Sequence, residues 1–190
     1  MKATSKFELL STLERETEKH LTEAVRIFQN LPEQTLLKPA ANDGWSIAQC
    51  LAHLNSYGRF YLPAIAYALD HPAGNASAEN FKSGWLGNYF TRMMQPGNST
   101  KKYTSPKDHS PAADLNAPAV IAEFIEQQER LIMYLRKAKA VNIGATRVPI
   151  SISKWVRLKL GDTFRFLIAH NERHILQAKK HLDKNKIGIR

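Results

Sequence analysis

Histidines stand in this chain at spacings that suit a metal ion. His170-Asn171-Glu172-Arg173-His174 sets two imidazoles four residues apart, on one helical face within about one turn. Two such nitrogens can reach a single ion. The glutamate stands two places before the second histidine, so this is not the HExxH order of metalloproteases. His53 is the third ring. It falls with Cys50, Leu54 and Tyr57 on the inward side of its own helix, where a neutral imidazole still needs partners for two ring nitrogens. Three rings from two helices make a three-nitrogen site with an open position. The alternative is a set of separately hydrogen-bonded core histidines.

These residues need long helices to position them. The first runs from about Lys6 to Asn30, with Phe7, Leu10, Leu13, Thr17, Leu21, Ala24, Val25 and Phe28 as its buried stripe. The second opens on Ser46-Ile47-Ala48-Gln49, a capping box that places Trp45 to staple against Cys50. Ile47, Cys50, Leu54, Tyr57 and Tyr61 continue its buried side, and Pro63 is expected to kink or interrupt it. The third covers about Asn116 to Ala140 with Pro118 in its first turn. The last covers about Asp162 to Asp183, with Phe164, Leu167, Ile168, Asn171, Ile175, Ala178 and Leu182 facing inward. The stretch Val148 to Leu160 is ambiguous between loop, strand and short helix, and no strand is convincing. The class is all-α, a four-helix bundle, in a single domain over residues 1–190.

Residues 71 to 116 form a long connection between helices 2 and 3, broken by prolines and glycines. Phe81, Trp85, Tyr89 and Met93 fall at four-residue spacing within it, a short helix expected to pack as a flap across the bundle opening. The connection is expected to govern access to the metal rather than to supply ligands. His20, His71 and His109 are expected at the surface, and His181 shares a face with His174 two turns on without joining the ligands.

GWSIAQCLAHL (residues 44–54), followed far downstream by FLIAHNERHILQ (residues 166–177), resembles the DinB-like superfamily. The resemblance spans essentially the whole chain, and its tryptophan-led helix start with a histidine, then HxxxH, is fairly specific. It implies an up-down-down-up four-helix bundle and a divalent metal held by His53, His170 and His174. It also implies a choice of chemistries, because relatives include thiol-dependent S-transferases and metal-dependent hydrolases. A small-molecule substrate is expected, with zinc or nickel as the ion and a low-molecular-weight thiol as a candidate co-substrate. A metal-stabilised binding module without turnover remains the competing class. No general base is evident: Glu172 points about 200° round the helix from His170 at ~100° per residue.

Composition narrows the partners. No apolar run approaches the ~18 residues needed to cross a bilayer, and the charged N-terminus lacks a signal-peptide pattern, so a cytoplasmic, membrane-free protein is expected. The single cysteine, Cys50, excludes an internal disulfide framework and a thiolate-rich zinc knuckle; an inert buried thiol is expected. Of the net charge of +10, residues 130–190 hold 15 Lys or Arg against 3 Asp or Glu. These charges are dispersed and lack a base-reading motif, so specific nucleic-acid binding is not expected. A homodimer is left open.

Overall fold

The computed structural model describes residues 2–40, 44–76, 78–97 and 106–186. Four long helices dominate them: α1 (Lys6–Arg26), α3 (Ile47–Asp70), α5 (Ala117–Ala138) and α6 (Leu160–Lys186). Two shorter ones, α2 (Glu33–Leu37) and α4 (Trp85–Met94), lie in the connections. The strands are brief: β1 (Thr4–Ser5) pairs antiparallel with β2 (Asn80–Phe81), and β3 (Arg147–Ile150) with β4 (Ser153–Lys159).

Side-chain pairs give the direction of each helix. Glu14 of α1 meets Arg136 and Lys139 near the end of α5, whereas Ala24 clusters with Ala117 and Val120 at its start. Those two helices are antiparallel. Asn55 of α3 donates to the Val120 carbonyl at 2.8 Å, Arg59 meets Glu123, and Asp70 meets Lys137; α3 and α5 therefore run parallel. Tyr61 of α3 touches Phe166 of α6, and His53, earlier in α3, touches His174, later in α6. This pair is antiparallel, and the order is up-down-down-up.

α3 begins as its capping box requires. The Gln49 N–H donates to Ser46 Oγ at 3.1 Å, and the Ser46 N–H donates to Gln49 Oε1 at 3.0 Å, pairing two donors that every helix start leaves open. The helix then continues through Pro63, contrary to the expected interruption. Pro63 and Arg59, whose carbonyl loses its partner, are both exposed, so water can replace the missing bond while Tyr61, Leu62 and Ile65 hold the inner face. Where α3 and α5 touch, Gly58 leaves the space for Gln127: a Cβ there would lie 1.8 Å from Gln127 Oε1.

Three other expectations need correction. Phe7 and Val25 are 64% and 40% exposed; the α1 stripe is Leu10, Leu13, Thr17, His20 and Ala24, and Phe7 instead lies beneath the Lys139 ammonium at 5.6 Å. Val148 to Leu160 forms most of a β-hairpin, in which Val148, Ile150 and Leu158 face inward with the period of two that strands impose. The expected aromatic stripe splits: Phe81 lies in β2 and is buried and Met93 is half-buried, whereas Trp85 and Tyr89 of α4 face outward, 77% and 58% exposed. The packed side carries Gly87 and Thr91, because a Cβ on Gly87 would fall 2.3 Å from Asp162 Cγ of α6. Close backbone approach selected the contact face. Asp162, 1% exposed, accepts hydrogen bonds from the Gly84 N–H at 2.8 Å and from the Ser83 hydroxyl, fastening the start of α4.

Ser46→Ala removes one half of the capping box and is expected to lower stability by about 1 kcal/mol. Denaturant unfolding reads this, and an unchanged midpoint would show that the cap carries no weight.

Candidate metal centre

His53 reaches inward from the middle of α3, and His170 and His174 reach toward it from consecutive turns of α6. One ligand atom from each lies within 4.8 Å of the others. The three residues are 3%, 2% and 9% exposed, and the Nε2 atoms of His53 and His170 are 3.1 Å apart. The helices thus bring together the three histidines singled out in the sequence.

Hydrogen bonds on the outer side of the rings orient two of them. The His109 carbonyl can only accept, so His53 Nδ1–H donates to it at 2.7 Å, leaving the Nε2 lone pair aimed at the centre. His174 Nδ1–H donates to the Gln177 side-chain oxygen at 3.0 Å, with the same result. Such outer contacts commonly fix tautomer and ring angle in metal sites. His170 Nδ1 is buried with no hydrogen-bond partner, so its tautomer is set by what meets Nε2.

Burial also sets the charge. Desolvation lowers the His53 pKa to about 4 and the His174 pKa to about 3, and it holds His170 well below the usual imidazole value. All three rings are neutral near pH 7, the form in which imidazole binds metals. The Nε2 atoms of two neutral rings facing each other across 3.1 Å, with a third ring alongside, make a cradle for a cation. The donor set fits zinc or nickel.

An aromatic wall surrounds the triad. The Trp45 ring lies 4.8 Å from His53 and 5.8 Å from His174, so beyond joining the cluster around Cys50 it covers two candidate ligands. Tyr57 meets His170 edge-on at 4.5 Å, and Phe166 stacks on it at 5.8 Å. Behind Tyr57 and Phe166 lies a cavity of about 180 Å³, lined also by residues of α4 and the β3–β4 hairpin and open to solvent beside Ile152.

The remaining histidines correct the expectation of a surface location in two cases. His20 is fully buried, and its Nε2 lies 2.7 Å from Glu172. That contact, with Lys19 at 3.1 Å, pulls the Glu172 pKa to about 2 and turns the carboxylate away from the triad. His109 is 7% exposed and stacks on Tyr57 at 3.9 Å. Proline-rich flanks gave no hint that a backbone carbonyl there would hold the ring of His53, a candidate ligand, whereas Gln177, one turn after His174, could have been found from helical spacing. His71 is exposed as expected. His181 is half-buried and outside the triad. No helix among the described residues is long and apolar enough to cross a membrane.

The DinB superfamily model matches residues 16–178, and the chain belongs to that superfamily. Among solved structures it is similar to YfiT from Bacillus subtilis, described as a probable metal-dependent hydrolase with an unusual four-helix bundle topology. The TM-score is 0.54 at 14% identity, over 95% of this chain and 87% of that one. No curated protein matches the chain in sequence.

Cys50, 0% exposed, has its thiol pushed up to about 12 by burial. Because the thiolate is the reactive form, an aromatic disulfide reagent at pH 8 should modify native protein at least ~100-fold more slowly than unfolded protein. Equal rates would show that this part of α3 opens readily.

Proposed function

We propose that this chain is a metal-dependent enzyme in which His53, His170 and His174 hold a divalent ion, zinc or nickel, and that it transfers a small thiol to a small electrophile. The observation that carries this reading is the convergence of three neutral, buried imidazoles with no carboxylate among them. A divalent ion there supplies a Lewis acid that lowers the pKa of whatever thiol or water reaches its open side. Three neutral donors leave its charge uncompensated within a poorly solvated pocket, which favours an anionic partner such as a thiolate.

The chain's own residues perform the positioning. The His109 carbonyl and Gln177 hold His53 and His174 in one tautomer and orientation. Trp45, Tyr57 and Phe166 restrict water around the rings, which strengthens electrostatic effects inside. Residues 71–116 govern access, with α4 clasped to Asp162. In the transfer, the thiol sulfur bonds to the electrophilic carbon and the leaving group departs with the bonding pair, while the thiol proton passes to solvent or to the leaving group.

Hydrolysis is the second reading, favoured by the description of YfiT as a probable metal-dependent hydrolase. The two chemistries share the ion and differ in the nucleophile, so assays with and without added thiol separate them.

His53→Ala, His170→Ala and His174→Ala are each expected to reduce bound metal at least ~10-fold while far-ultraviolet circular dichroism stays helical. Elemental analysis of the purified variants measures this. The wild type, loaded with zinc or nickel, should consume a low-molecular-weight thiol when given an electrophile. Near-stoichiometric metal in all three variants would overturn the ligand assignment, and release of product from an ester without any thiol would favour hydrolysis.

A further inference from the structure

We propose that the cavity behind Tyr57 and Phe166 binds an uncharged aromatic or branched-alkyl group about the size of benzene, and that this group is the non-reacting part of the substrate. As a substrate subsite it rests on the reading of the triad as the reactive centre; as a binding site it stands independently.

Size is the first argument. The cavity holds about 180 Å³, and apolar cavities of ~150 Å³ in protein cores take up benzene. The enclosed space is smaller than the ~300 Å³ at which pockets for drug-sized ligands begin.

The chemistry of the wall is the second. Tyr57, Tyr61, Phe90, Met93, Leu158 and Phe166 line most of it, and among the described residues no charged side chain does. A carboxylate or ammonium entering it would lose its hydration without gaining a counter-charge. The basic character of residues 130–190 therefore does not extend to this pocket, and an anionic substrate is disfavoured despite the net charge of +10.

Placement is the third. Tyr57 and Phe166 belong to both the cavity and the triad, since each also packs on His170. A group seated in the cavity lies one aromatic layer from the candidate ligands. Ile152, also in the wall, is 61% exposed and marks an opening toward solvent. The Tyr61 hydroxyl is engaged, accepting from the Ser151 N–H at 3.3 Å. Tyr57 is 7% exposed. The geometry therefore selects an apolar group.

Thermal unfolding with toluene, benzoate and benzylamine as probes tests the binding, on metal-free and metal-loaded protein. Toluene at saturation should raise the melting temperature by about 3 °C or more in both forms, and the two charged probes by less than a quarter as much. Leu158→Trp, which fills the cavity, should abolish the toluene shift without changing metal content. Should that variant fail to fold, Met93→Trp on the partly exposed side of α4 takes its place. Equal shifts with benzoate, no shift with toluene, or a shift that survives the filling variant would overturn the site. With the loaded enzyme, a phenyl-bearing electrophile should exceed its methyl counterpart at least ~10-fold in kcat/KM, and the filling variant should erase that preference. Toluene binding without any such preference would overturn the substrate assignment, whereas absence of all turnover beside intact toluene binding would count against the proposed function.

Discussion

Two consecutive helices that run parallel cannot be joined by a short turn, and this constraint shapes the whole molecule. α3 has 24 residues, about 36 Å at the α-helical rise, and the chain must return that distance before α5 can start. The parallel pairing is held by buried polar contacts: Asn55 to the Val120 carbonyl, and the Gln127 amide to the Asn55 carbonyl at 3.1 Å. Gly58 is what allows the two helices to come that close. The return is then put to use. It carries α4 onto α6, and it carries the His109 carbonyl to the outer nitrogen of His53. A bundle with short loops would offer the same three histidines without the carbonyl that orients one of them.

The site follows from placing imidazoles where water is scarce. Desolvation keeps the three rings neutral, so the cluster costs less to bury than three charges would. It still turns three ring nitrogens toward one point. Glu172, the acidic residue closest in sequence to His170 and His174, is drawn away by His20 and Lys19. That withdrawal separates an all-nitrogen centre from a carboxylate-bearing one, and it is enforced by α1 packing against the far side of α6.

Much of this was legible in the sequence, for reasons that differ by element. The capping box at Ser46 and the i, i+4 histidines are local, and helical periodicity carries local information faithfully. The DinB-like motifs carried the direction of the helices, which periodicity alone does not contain. What stayed hidden depends on tertiary contact. The outward turn of Trp85 and Tyr89 was decided by the need of Gly87 to approach Asp162. His20 looked like a surface residue because its partner lies 152 positions away. His109 acts through its backbone, which no side-chain pattern reveals.

On the proposed function, three imidazoles and no sulfur from the chain hold one divalent ion. X-ray absorption at the metal edge of the purified, thiol-free protein measures this directly. The expected result is a first shell of nitrogen and oxygen at about 2.0–2.1 Å for zinc, with outer-shell scattering of three imidazole rings. A sulfur shell near ~2.3 Å, or scattering from fewer than two rings, would contradict it.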